Sequence, residues 1–191
     1  MTKRYSPKTR DELVELVERC ERGEAWLGEI DVSRVTDMRW LFTYRDGIDW
    51  EDPRNDITGW DVSRVRTMYA MFAGSAFDQD ISAWCVDFVR DMRSMFYEAS
   101  FSRDLFPWFL HLRADCRLYD FNRQAPQEKR FGTVDGYDAF VRAFVSERKC
   151  RQVYESGSDK DRYLLLKALK NLEKENGFSM MKKMVDESYE V

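Results

Sequence analysis

DITGWDVSRVRTMYAMFAGSAFDQ (residues 56–79) and DISAWCVDFVRDMRSMFYEASFSR (residues 80–103) follow one another and match at a spacing of 24. Ile57 pairs with Ile81, Trp60 with Trp84, Val65 with Val89 and Met68 with Met92. Met71 pairs with Met95, Phe72 with Phe96 and Phe77 with Phe101. Leu105 and Trp108 carry the first two columns one step further. A period of this size marks stacked units, each burying its apolar face against the next. An earlier unit, WLGEIDVSRVTDMRWLF (residues 26–42), carries the same pattern displaced by 30, so six extra residues fall between Phe42 and Ile57. A fourth unit opens as DLFPWF at Asp104 and then degenerates. Pro107 lacks a ladder donor and predicts an edge or terminating strand.

Two rhythms run through each unit. Ile57, Gly59 and Asp61 alternate with Thr58, Trp60 and Val62, which predicts a strand covered on both faces. Val65, Met68, Met71 and Phe72 then fall at i, i+3, i+6 and i+7, which predicts about two turns of helix. Strand, helix and strand in succession predict an α/β solenoid with parallel strands near Ile57, Ile81 and Leu105. The Met and aromatic stripe reads as core, because a cofactor box would not recur unchanged from unit to unit.

ITGWDVSRVRTMYAMF and ISAWCVDFVRDMRSMF resemble the repeat of the DUF285 (BspA-like) family of bacterial surface proteins, whose units read ISxWDVSxVTxMxxMF with a further Phe downstream. The resemblance covers about residues 26–108, and Cys85 stands where the pattern has Asp. It implies a leucine-rich-repeat-like stack in surface or secreted proteins that act in adhesion and protein binding. It brings no catalytic residues.

The flanks read as helical. Thr9 and Glu12 form a capping box for a helix over residues 9–22, with Leu13, Leu16, Val17 and Cys20 as its apolar stripe and Gly23 as its stop. This helix is expected to cap the stack. Residues 113–121 are expected to hold a last strand or turn, and residues 122–130 a loop. Helices are expected over 135–148, with Tyr137, Phe140, Val141, Phe144 and Val145 on one side, and over 158–175, with Leu165, Leu166, Leu169 and Leu172 as its stripe. Lys167, Lys170, Glu173 and Lys174 read as a solvated face. Gly177 is the expected stop, and a last helix is expected over 179–187. The expected organisation is a capping helix (1–23), a repeat stack (24–121) and a helical C-terminal region (122–191).

The 191 residues carry a net charge of −4, with 15% aromatic and 35% charged residues. Residues 24–108 hold 9 Lys or Arg against 16 Asp or Glu, a net of −7. An acidic stack disfavours nucleic acid as a direct ligand, since phosphate binding needs clustered Lys and Arg. No signal-peptide apolar region and no run of about 18 apolar residues is present, which predicts a cytoplasmic chain without a membrane span. Cys20, Cys85, Cys116 and Cys150 are widely spaced and read as reduced thiols. No metal site, calcium loop or cofactor is expected. His111 is the sole imidazole, in the apolar context PWFLHL, and reads as structural. Nucleophile elbows, phosphate loops and dinucleotide fingerprints are absent, so no catalytic residue and no enzyme is expected.

The insertion TYRDGIDWEDPRN (residues 43–55) is the expected binding element, because repeat insertions emerge as loops on one face. Its candidate contact residues are Tyr44, Asp46, Asp49, Trp50, Glu51 and Asp52. The function expected is a non-enzymatic protein-binding module. It acts as an intracellular adaptor or inhibitor of bacterial, phage or mobile-element origin that sequesters a protein target; anti-defence proteins such as anti-CRISPR inhibitors fit this class. The alternative is a structural or adhesive surface-protein fragment.

Overall fold

The computed structural model describes residues 3–176. The repeat units do stack, but not as strands and helices. Among the described residues there is no β-strand and no sheet. There are isolated parallel bridges, joining Tyr5 to Ile30, Asp37 to Thr67, Thr67 to Asp91 and Asp91 to Arg117. The α/β solenoid of parallel strands, and with it the leucine-rich-repeat-like form, is therefore wrong for this chain. The bridges at Asp37, Thr67 and Asp91 also lie within the segments expected to be helical. In the segment expected to be a strand, Ile57 to Val62, the first four residues form a turn closed by Trp60 N–H on Ile57 O (3.0 Å).

The backbone donors explain both failures. The N–H groups of Met68, Ala70, Phe72 and Gly74 donate to the carbonyls of Asp91, Arg93, Met95 and Tyr97 in the next unit, at 2.8–3.0 Å. Those of Met71, Ala73 and Ser75 donate to Met68, Ala70 and Phe72, three residues back. Every second donor is committed to a neighbour, so no helical i to i−4 ladder forms. The others close tight turns, so the chain never extends into a strand. Two left-handed residues per unit make this path possible: Trp40 and Tyr44, Ala70 and Gly74, Ser94 and Glu98, Asp120 and Gln124. These pairs step by 30, 24 and 26. The fourth unit thus runs through to Gln124 with two extra residues. Pro107 sits in a 3-10 helix, Phe106–Leu110, not in an edge strand.

Asp side chains shape the rest of each unit. The carboxylates of Asp31, Asp56, Asp61, Asp80 and Asp104 each accept the backbone N–H two residues on, at 2.8–3.0 Å. These are Asx turns. Ser33 and Ser82 donate to Asp31 and Asp80 and hold their carboxyls below the usual range. A depressed folded pKa contributes stability that is present above the unfolded value and lost as pH falls through the folded one. Acid titration followed by tryptophan fluorescence should therefore show stability falling below about pH 4. Stability flat to pH 2 would count against this linkage.

The core is continuous. Phe42, Phe72 and Phe96 stack with ring centroids 5.4 and 5.7 Å apart, and Phe77 stacks on Phe101 at 5.9 Å. The Trp column lies inside with its indole N–H groups satisfied. Trp60 donates to Leu27 O (3.1 Å), Trp84 to Thr58 O (3.2 Å) and Trp108 to Ile81 O (3.0 Å), each reaching back one unit. The expected in-register burial of Trp60, Trp84, Met68, Met92, Phe72 and Phe96 is what the structure has.

Helix α1 (Arg10–Glu21) is capped by Thr9, whose hydroxyl accepts from Glu12 N–H (3.2 Å), and buries Leu13, Val17 and Cys20. Gly23, at φ 72°, ends it, and Glu24 N–H returns to Arg19 O. Past the fourth unit come α2 (Pro126–Phe131), α3 (Tyr137–Phe144), α4 (Glu147–Ser156) and α5 (Asp159–Asn176). The expected loop at 122–130 thus holds α2. The helix expected over 135–148 is two, split where Val145 turns extended and Ser146 caps α4. α3 and α5 pack on the Phe106–Leu110 helix, and Phe140, Phe144, Leu165 and Leu169 join the same core. The expected stop at Gly177 and helix over 179–187 lie outside the described residues. No helix among the described residues is long and apolar enough to cross a membrane.

Candidate protein-binding face

The ladder of inter-unit hydrogen bonds carries a row of aromatic and arginine side chains, with Arg39 and Tyr119 exposed and Tyr69 and Arg93 half-buried. Arg39, Tyr69, Arg93 and Tyr119 occupy one register, one residue past the core positions Met38, Met68, Met92 and Leu118. Trp40 meets Tyr69 edge to face at 5.5 Å, and the guanidinium of Arg93 lies 5.0 Å from the Tyr69 ring centre. Arg10 and Arg39 flank Trp40, each 5.9 Å from its ring centre. Arg93 and Arg117 both pair with Asp91, at 2.9 and 2.7 Å, and Arg39 pairs with Asp37 at 2.7 Å. Asp91 is itself buried, which pushes its carboxyl up. The Arg93 hydrogen bonds and the charges of Arg93 and Arg117 overcome that and hold it low.

Tyr44 belongs to the same ladder, four residues past Trp40. Its ring lies across Gly74, and its hydroxyl donates to the Glu98 carboxylate at 2.9 Å, two units away. A Cβ on Gly74 would fall 2.1 Å from the ring. Gly74→Ala should therefore displace Tyr44 and break its bond to Glu98. The check is the Tyr44 hydroxyl pKa, which Glu98 now raises and which should fall back toward the ordinary tyrosine value. Trp40, Tyr44 and Tyr119 remain 47%, 59% and 60% exposed.

The insertion loop divides its residues between two roles. Trp50 folds inward, with its ring 5.0 Å from both Phe42 and Phe77. Its indole N–H is buried and meets no acceptor among the described residues. Trp50→Phe should therefore cost clearly less stability than Trp50→Ala in chemical denaturation, since the ring packing is kept and the unpaired N–H removed. Asp52 caps the short 3-10 helix Pro53–Asn55 and pairs with Arg54 at 2.6 Å. Asp49 accepts from Glu51 N–H (3.0 Å). Buried Asn55 ties the loop down, accepting from Leu27 N–H and donating to Asp49 O. Asp46, Asp49 and Glu51 are exposed. Of the six loop residues read from sequence, only Tyr44 lies on the ladder, its N–H donating to Ala73 O. Trp40, Tyr119, Arg39, Arg93 and Arg117 were missed. Their signal was present as Arg39, Tyr69, Arg93 and Tyr119 recurring in step just outside the apolar stripe.

No curated protein matches the chain, and no solved structure does. A family model described as "Mycoplasma protein of unknown function, DUF285" matches residues 11–124. That span takes in α1 and the turns of all four units, the repeat resemblance included, so the chain belongs to the DUF285 family.

Proposed function

We propose that this chain is a non-enzymatic protein-binding module, an adaptor or inhibitor that holds a protein target against the ladder face. The observation that carries the reading is the row of Trp40, Tyr44 and Tyr119, exposed and interleaved with Arg39, Arg93 and Arg117. Trp, Tyr and Arg are the residues that dominate interface energetics. Ring contacts and hydrogen bonds already hold several of these side chains, so little rotamer freedom is lost on docking. Arg39, Arg93 and Arg117 are paired with Asp37 and Asp91, which offsets two of their three positive charges and favours a protein partner over nucleic acid.

The test is capture of the target from the native host, followed by affinity measurement with the double variant Trp40→Ala/Tyr119→Ala. Both side chains stand outside the core, so the melting temperature should hold while affinity falls at least about tenfold. Unchanged affinity in a folded double variant rejects the ladder face.

A further inference from the structure

Two of the units carry the triplet Asp-Val-Ser, at 31–33 and 61–63, and in each the Asp accepts the Ser N–H at 3.0 Å. The third unit has Cys85-Val86-Asp87, so both ends of the triplet are changed together. The thiol now donates to Asp87 Oδ2 at 3.1 Å. From the fourth unit, His111 Nδ1 lies 3.2 Å from Asp87 Oδ1. His111 follows the Phe106–Leu110 helix, in the stretch lengthened by two: Trp108 to Leu118 is ten residues, whereas Trp84 to Met92 is eight. Two local departures from the repeat thus converge on one point. One donor atom from each of Cys85, Asp87 and His111 lies within 4.8 Å of the others.

We propose that Cys85, Asp87 and His111 bind a borderline-soft divalent transition metal, with Zn²⁺ as the fitting ion. Thiolate, carboxylate and imidazole are the donor set Zn²⁺ takes, at about 2.0–2.3 Å, which places neighbouring donors roughly 3.3–3.8 Å apart. The three atoms need only small rotamer adjustments to reach that spacing. Burial and the Asp87 carboxylate raise the Cys85 thiol pKa. Binding therefore releases the thiol proton to solvent, and His111 coordinates through Nδ1. Beside the cluster lies a groove of about 560 Å³ lined by Asp87, Phe88, His111, Arg113, Tyr137 and Lys167. It leaves the fourth coordination position open to water. A metal here would join the third and fourth units next to α5.

The experiment uses the full chain, freed of metal by chelator and titrated with Zn²⁺ against a chromophoric indicator, then with Co²⁺ followed by visible absorption. The expected result is one ion per chain and a thiolate-to-cobalt charge-transfer band. Cys85→Ser and His111→Gln should each weaken Zn²⁺ binding at least about tenfold. Cys85→Asp restores the residue found at positions 31 and 61, so it should fold, keep weaker binding and lose the charge-transfer band. The other cysteines, Cys20, Cys116 and Cys150, are buried and give no competing band. Absence of stoichiometric Zn²⁺ binding overturns the proposal. So does binding that survives in a folded Cys85→Ser/His111→Gln variant.

Discussion

Phe72→Ala should lower the unfolding free energy by about 3–5 kcal/mol. Phe72 is fully buried at the middle of the stack and touches rings on every side. Phe42 and Phe96 stack on it at 5.4 and 5.7 Å, Phe77 at 3.9 Å, and Trp50 and Trp84 approach at 6.4 Å. Truncation opens a cavity that the stacked rings cannot fill, because Phe42 N–H is fixed on Met71 O and Phe96 N–H on Phe121 O. A domain stable by about 5–15 kcal/mol loses a large share of that in one substitution. Chemical denaturation should show the midpoint falling with little change in slope. A loss below about 1 kcal/mol would mean that the units do not share one core.

Asn122→Ala should cost about 2–3 kcal/mol through a different mechanism. Stepping Phe42, Phe72 and Phe96 forward by the fourth unit's displacement of 26 lands on Asn122. The ring column ends there. Phe121 turns perpendicular to Phe96 (5.2 Å, 90°) and meets Phe140 of α3. Asn122 is fully buried, donates to Gly132 O and accepts from Val134 N–H, both at 2.9 Å. Removing its amide strands a buried N–H beside the segment that leads into α3. Asn122→Leu should not recover the loss, although Leu resembles the ladder residue, because Val134 N–H still lacks an acceptor. Amide exchange at Val134 should speed up in both variants while Phe72 stays protected. Full stability in Asn122→Leu would refute the assignment of Asn122 as the polar end of the column.

The sequence was most legible where one residue type has one physical use. The N-cap at Thr9, the stop at Gly23 and the burial of the Trp, Met and Phe columns follow from capping geometry and apolar periodicity. The secondary structure of the unit was misread for a reason that is also physical. Val65, Met68, Met71 and Phe72 fit a helical stripe, and they equally fit a run of tight turns whose alternate donors reach the next unit. Apolar spacing does not separate the two. The Asx turns were the better signal. Asp at 31, 56, 61, 80 and 104 recurs because its carboxylate closes a turn, and much of the stack's negative charge comes from this use.

By itself the sequence determined that units repeat, which residues of the repeat columns face inward and that the chain carries the DUF285 pattern. Those depend on local chemistry and periodicity, which one chain displays in full. Only the tertiary structure decided that the units join by isolated bridges, that Trp50 packs inward and that Trp40 and Tyr119 stand exposed. The same is true of Cys85, Asp87 and His111, which meet at one point. These depend on which backbone donors reach across to the next unit, and that choice is made between segments about 24 residues apart.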